Sequence, residues 1–357
     1  MLHVTLLLDI TVALHLLSLT LALKSFGNSI SCRNEKNEPI DWFIIYKLPK
    51  YTMDSDGSGL NYMYLDGSMK NWDLSPFTIN SSSGAAGHTL GQLYQGKGYK
   101  SNSTAYLFYN DAPPELPYDM DHGHTKGVIM FDKYQGFWLS HSVPHFPPFP
   151  ERGYDYPSTG LFYGQFLFCV TYSYEQFHPI SEQLMYSNPR VYNCSLPPPL
   201  WADMPLLAQL CSGVSPHLPR DRSVKKLVSA KGETLLSFVK THLFVDDIYT
   251  SWVAQLLDSD LLAETWQRPG HELFSNCSLR RHVLNVSGIR LPGPFYFHSR
   301  YDHSKWCVSL KPQDRWVCLG DLNRERGQAW RDGGLVCTQN TLIYAVFRRA
   351  IYSFFKC

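Results

Sequence analysis

The chain has 357 residues, is 44% hydrophobic and only 18% charged, and sets 32 lysines and arginines against 31 aspartates and glutamates. That composition excludes a disordered chain and a constitutively basic nucleic-acid binder at neutral pH, while the length suits one large or two medium domains. Fourteen histidines alter the balance under acid, because protonating them turns a near-neutral chain into one that attracts polyanions.

The run from Val4 to Leu23 is apolar and leucine-dominated, and small polar residues follow it (Ser25, Gly27, Asn28, Ser29). It reads as a secretory signal peptide over residues 1–27. No later stretch is long and apolar enough to span a bilayer, so no stable membrane association is expected once the signal is removed. Five Asn-x-Ser/Thr triplets, at Asn80, Asn102, Asn193, Asn276 and Asn285, fit passage through the endoplasmic reticulum as glycosylation acceptors. Nine cysteines are expected to be mostly paired in that oxidising route, and the odd count leaves at least one free unless the chain pairs with another. Connectivity does not follow from spacing.

Along the chain, aromatic and β-branched runs bounded by turn residues predict strands at 42–47, 104–109, 127–132 and 136–142. Between Cys194 and Arg222 the composition shifts: Pro197, Pro198, Pro199, Pro205, Pro216 and Pro219 break regular structure. This divides an amino-terminal half (28–195) from a carboxy-terminal half (223–357) through a proline-rich connection (196–222). The second half opens on helical spacing at 223–242 and 246–267, with Ile248, Trp252, Leu256 and Leu257 on one face. Asp246-Asp247 reads as the start of a helix, not as a metal site. The basic run Arg220, Arg222, Lys225 and Lys226 reads as a solvated helix start, with contact to a DNA backbone as the alternative. Strands return at 306–310 and 316–319.

The pattern His-[Ser/Thr]-Lys occurs twice, as His124-Thr125-Lys126 and His303-Ser304-Lys305. Each copy opens an expected hairpin. Centring the first turn between Asp132 and Lys133 sets His141 opposite His124, and centring the second on Gln313 sets Asn323 opposite His303. Residues i and i+2 of a strand share a face, so each His would point with its Lys. Phosphodiester cleavage needs a nucleophile, an acid for the leaving oxygen and positive charge on the phosphoryl oxygens. One histidine attacks phosphorus, and the other protonates the leaving oxygen and then activates water. Lys126 and Lys305 supply charge that many nucleases take from a divalent ion. Asn323, and His141 when protonated, are candidate phosphate donors. Imidazoles beside a bound phosphate are expected to have raised pKa values, which puts the rate optimum on the acid side. An Asp119, Asp121, His122, His124 cluster is a weaker zinc candidate, since Lys126 would sit beside the metal and no distant ligand completes the set.

At these residues the chain resembles the deoxyribonuclease II family, the acid endonucleases of lysosomes. The resemblance is carried by Ile40-Asp41-Trp42-Phe43, Tyr46-Lys47-Leu48-Pro49, Tyr109-Asn110-Asp111, Gly123-His124-Thr125-Lys126-Gly127, Gly136-Phe137-Trp138-Leu139, His141-Ser142-Val143-Pro144, Ser275-Asn276-Cys277-Ser278 and Asp302-His303-Ser304-Lys305-Trp306-Cys307. It covers nearly the whole chain. It implies an α/β fold: a phospholipase D-like, pseudo-twofold arrangement of two mixed-sheet halves with one His-x-Lys motif in each. It implies His124 and His303 as the catalytic pair, Lys126 and Lys305 on the phosphate, no metal or other cofactor, and DNA as partner, bound mainly through phosphates. Cleavage would leave 3′-phosphate and 5′-hydroxyl ends. The location implied is the lysosome, with secretion as a second destination. The disulfides implied are Cys32–Cys169, Cys277–Cys357 and Cys318–Cys337, with Cys194–Cys211 as a pair found in one branch of the family, leaving Cys307 free. A phospholipase D-like hydrolase acting on a lipid phosphodiester, and a glycoprotein that binds nucleic acid without cutting it, are the alternative functions.

Overall fold

The computed structural model of the chain describes residues 29–52, 55–95, 98–214 and 220–357. The expected signal peptide, 1–27, lies outside the described residues. Strands before the proline-rich connection build one sheet: β1 (Trp42–Lys47), β2 (Tyr62–Asp66), β3 (Asp73–Leu74), β4 (Ala105–Asn110), β5 (Lys126–Phe131), β6 (Gln135–His141), β7 (Gln165–Ser173) and β8 (Val191–Ser195). Its order is β8-β4-β5-β6-β7-β1-β2-β3. Every neighbouring pair is antiparallel, so this half is not the mixed sheet expected.

Strands after the connection build a second sheet: β9 (Arg222–Val228), β10 (Thr234–Lys240), β11 (Leu261–Glu264), β12 (Val283–Arg290), β13 (Tyr296–His298), β14 (Trp306–Ser309), β15 (Val317–Gly320), β16 (Gly333–Thr338) and β17 (Ile351–Phe354). The order is β9-β10-β16-β15-β14-β11-β12-β13, with β17 also on β12. One parallel pair, β11 with β12, makes it mixed.

The layers follow from the period of two in these strands. All six residues of β1 are buried. Trp42, Ile44 and Tyr46 join a core shared with the second sheet, while Phe43 and Ile45 join a core on the far side. The shared core holds the helices Phe177–Ser187 and Thr341–Ala350 between the sheets. Phe347 places its ring 5.3 Å from Trp72 and 5.1 Å from Trp306, one residue from each half. Asn340 caps that helix by accepting from Leu342 N and Ile343 N, and Arg348 and Arg349 sit in its last turn. The helix Ala85–Tyr94 covers the outer face of the first sheet, and a π-helical turn, Ile248–Val253, covers the outer face of the second.

Several sequence expectations change. Residues 223–242 are the hairpin β9–β10, not a helix. Gly232 takes φ +94° in the turn, and β10 pairs along its length with β16, so tertiary pairing overrides a spacing that also fits a helix. The basic run therefore lies on and beside an edge strand, where Lys225 pairs with Glu182 at 2.5 Å. Residues 246–267 hold only a short helical segment before β11. Asp247 caps it, accepting from Tyr249 N. The proline-rich connection is not devoid of structure either: Pro198–Trp201 and Pro205–Cys211 are short helices with proline in the first turn, where its missing N–H costs nothing.

Disulfides join Cys32–Cys169, Cys194–Cys211, Cys277–Cys357 and Cys318–Cys337. Cys307 is unpaired and buried in β14, directly opposite Cys318. Burial holds its thiol far above the ordinary range, so little thiolate forms. Native protein should therefore resist a thiol reagent and take up one equivalent on unfolding without reduction. A mass map of unreduced protein showing Cys307 in a disulfide would overturn this.

Candidate active site

Neither histidine of the repeated motif lies in a strand. β5 starts at Lys126 and β14 at Trp306, so His124 and His303 sit in the approaches. What fixes each is a backbone bond to the other half of the chain. His124 N donates to Asp332 O at 2.9 Å, and His303 N donates to Gly164 O at 2.8 Å. Space is tight at both approaches: a Cβ on Gly123 would fall 1.8 Å from Ser187 O of its own half, and one on Gly164 would fall 2.4 Å from Asp302 Oδ1 of the other half, so both positions require glycine.

The result is one cleft of about 410 Å³ lined by His124, Lys126, His303, Lys305 and Asn323, with Asp111, Arg331 and Trp266 among its other walls. The expected hairpin registers do not bring them there. Gly127 pairs with Ser140 and Phe131 with Gly136, centring the first turn on Lys133-Tyr134. Asp132 stabilises that turn, its Oδ1 accepting from Tyr134 N and Gln135 N. In that register Lys126, not His124, falls opposite His141. His141 is outside the cleft lining: it is buried, its Nδ1 accepts from Val143 N at 3.2 Å, and its ring packs edge-on against Phe146. In the second hairpin Cys307 pairs with Cys318, so Leu322 falls opposite His303. Asn323 arrives from the loop after β15, fixed by its neighbours. Leu322 O accepts from Tyr249 Oη, and Arg324 N donates to Thr265 Oγ1.

Arg324 also bears on one sequon. Its guanidinium is buried against Asp247, Thr250 and Asn285. Asn285 Nδ2 donates to Leu273 O at 2.8 Å, so both ends of that amide are bonded inside the fold. Asn80 and Asn102 are exposed, and Asn193 and Asn276 half-buried.

Charge is arranged in two layers. In the first, Asp111 is fully buried and bonded by Lys126 Nζ, with Arg331 Nη2 at 3.3 Å and His124 Nε2 at 3.9 Å. Burial alone would raise this carboxyl. Lys126, His124 and Arg331 overcome that and hold it at about 2. Arg331 comes from the second half and is itself held by His122 O and Tyr118 Oη. In the second layer, behind His303, Asp302 accepts from Tyr46 Oη and from Ser304 Oγ and N. Burial raises Asp302, and burial with Asp302's charge raises the neighbouring Glu264 well above the carboxylate range. Lys305 donates to His303 O at 2.5 Å, and burial together with Lys126 lowers it to about 7.

Both site histidines are held well below the ordinary value. For His124 the causes are burial and then Lys126, partly opposed by Asp111; for His303 they are burial and then Lys305. The protein's own groups thus oppose the elevation expected from sequence, and only the negative charge of a phosphate can supply it. The surroundings differ as well. His124 faces a carboxylate, whereas His303 stacks on Tyr163 (3.9 Å, 10°) and lies 4.5 Å from Trp266. Among the described residues no three His, Cys, Asp or Glu side chains could share a metal ion. His122 pairs with Asp119 at 3.0 Å, and His124 turns to the cleft.

Sequence reasoning missed Asp111, Arg331, Asp302, Tyr46 and Trp266 as parts of the site. Asp111 was within view, inside the string Tyr109-Asn110-Asp111, but nothing in its spacing from Lys126 announces their contact.

The deoxyribonuclease II family model matches residues 31–357. The chain is 46% identical to deoxyribonuclease-2-beta of Homo sapiens over 332 residues, covering 92% of each protein. It is 38% identical to deoxyribonuclease-2-alpha of Sus scrofa over 92% of this chain and 91% of that one. It is 35% identical to plancitoxin-1 of Acanthaster planci over 95% and 96%.

Asp111 gives a pH-dependent expectation. Its folded value lies below the unfolded one of about 3.9, so its stabilisation is present above that value and lost as pH falls towards 2. Asp111→Asn should lower unfolding free energy by about 2 kcal/mol at pH 5, and the gap should close on acidification. Denaturant titrations at pH 5 and below test this, and a gap that does not change with pH refutes it.

Proposed function

Because this chain belongs to the deoxyribonuclease II family and is an endonuclease of that type, we propose that it hydrolyses DNA phosphodiester bonds at acid pH through a phosphohistidine, without a divalent metal. The observation that carries the reading is the convergence of His124 and Lys126 with His303 and Lys305, from opposite ends of the chain, in one cleft. We also infer the pseudo-twofold, phospholipase D-like relation between the two halves that the repeated motif implies.

The chemistry follows from the groups present. Lys126, Lys305 and the Asn323 amide bind the non-bridging oxygens of the phosphate, whose charge lifts the imidazoles out of their depressed range. A ring nitrogen of one histidine forms a bond to phosphorus as the P–O5′ bond breaks. The departing O5′ takes a proton from the other histidine. That histidine, now neutral, takes a proton from water as the water oxygen bonds to phosphorus and the P–N bond breaks. The products are a 5′-hydroxyl and a 3′-phosphate, with both imidazoles restored. His141 remains a candidate donor to the phosphate when protonated: its Nδ1 accepts from Val143 N, but its buried Nε2 has no hydrogen-bond partner among the described residues, and the charges of Lys126 and Asp111 act on the ring. The setting is the secretory route to the lysosome, where acid charges Lys305 fully and the many histidines attract DNA.

Purified protein should nick plasmid at pH 5 in excess EDTA. Loss of activity that Mg²⁺ or Zn²⁺ restores would overturn the metal-free reading. His124→Ala and His303→Ala should each lower cleavage by about 10⁴-fold or more while leaving a folded protein; either mutant within tenfold of wild type refutes the two-histidine mechanism. For the products, polynucleotide kinase lacking phosphatase activity should label the new 5′ ends directly. Ends that label only after phosphatase treatment would mean the other P–O bond is cut.

A further inference from the structure

The first half reaches His303 with more than a carbonyl. Just before β7, residues 163–164 run parallel to residues 301–303. Gly164 N donates to Tyr301 O and His303 N donates to Gly164 O, each at 2.8 Å, and Gly164 pairs with Asp302. This close approach carries the Tyr163 ring onto the face of the imidazole, with centroids 3.9 Å apart and planes inclined by 10°. Trp266, which follows β11 of the second half, has its ring centre 4.5 Å from that of His303 and 6.1 Å from that of Tyr163. Those distances put Trp266 to one side of the imidazole and not across it from Tyr163. His303 and Trp266 line the cleft and Tyr163 does not, so Tyr163 backs the ring from outside the space that substrate enters.

The stack stands in place of a hydrogen bond. An imidazole that moves protons or attacks is ordinarily oriented by a partner on one ring nitrogen. His124 has Asp111 Oδ2 at 3.9 Å from its Nε2, whereas His303 Nε2 is buried with no hydrogen-bond partner among the described residues. We propose that Tyr163 is a positioning residue for DNA cleavage, whose flat face holds the His303 imidazole in its reactive orientation. This rests on the nuclease reading above. Rotation of the imidazole about its bond to Cβ would drive a ring edge into the tyrosine, so the parallel stack fixes that angle. Trp266, standing at the side, limits the swing of the whole side chain towards it. The backbone bond to Gly164 O fixes where His303 begins, and the ring of the preceding residue, Tyr163, fixes where its nitrogens end. Position and orientation of this histidine thus both come from two consecutive residues of the opposite half. The ring face performs this task, and the Tyr163 hydroxyl has no part in it.

Tyr163→Phe keeps the ring and removes only the hydroxyl. With purified protein and a duplex oligonucleotide as substrate at pH 5, its kcat and KM should each lie within about twofold of wild type. Tyr163→Leu and Tyr163→Met keep an apolar side chain but lose the flat face. Each should lower kcat by about 30-fold or more with KM within about threefold of wild type, because a loose His303 misplaces a reacting nitrogen without removing a contact to DNA. A Phe variant as slow as the Leu variant would mean that the hydroxyl acts, and a raised KM at unchanged kcat would mean that Tyr163 touches DNA; either overturns the proposal. So would Leu and Met variants within about threefold of the wild-type kcat, or failure of both to fold, which would make the ring part of the framework. Wild-type protein that cleaves no DNA in the same assay refutes the nuclease reading instead, and the two failures are thus distinct.

Discussion

Each histidine of the repeated motif hangs from a carbonyl of the opposite half: His124 from Asp332 and His303 from Gly164. The remainder of the site depends on that exchange. It fixes the approach to each motif, and no Cβ fits beside it at Gly123, which faces Ser187 O, or at Gly164, which faces the Asp302 carboxylate. Asp111 and Arg331 extend the exchange to side chains, since the carboxylate that holds Lys126 in the first half is also held by an arginine from the second. Burying such a carboxylate is costly unless its partners are well placed, and here Lys126 and Arg331 both face it. The cleft is therefore a seam between halves, not a pocket within either one.

Acid operation follows from burial as much as from residue type. Enclosure lowers both imidazoles and brings Lys305 to about 7, while it raises Asp302 and Glu264. Every one of those shifts disfavours charge, so the site's own groups carry less charge than its composition suggests. Lowering the pH restores the positive charges and keeps the raised carboxyls neutral. The net effect is a surface whose affinity for phosphate grows as protons become available.

Much of the first half was legible in the sequence. The runs at 42–47 and 104–109 are apolar and bounded by turn residues, and the strands lie within one residue of them. The motif pair was legible because residue type and repetition mark it, whereas Asn323 was reached through a hairpin register one residue from the observed one. Register was not. A one-residue error in the second turn and a two-residue error in the first were enough to misplace Asn323's route and to put His141 beside the wrong partner. The hairpin at 222–240 was misread because its apolar residues fit two periods, and only the pairing of β10 with β16 decides between them. Asp111 and Arg331 escaped for a different reason. They lie 220 positions apart, and the contact between them belongs to the assembled core.

The helices between the sheets have one further consequence. Because Phe177–Ser187 and Thr341–Ala350 pack into a core made by both sheets, neither half has a complete interior without the other. Nor does either half contain both histidines. A fragment ending before His303 therefore holds one His-x-Lys motif and only part of the shared core, and the cleft exists only where both sheets are in place.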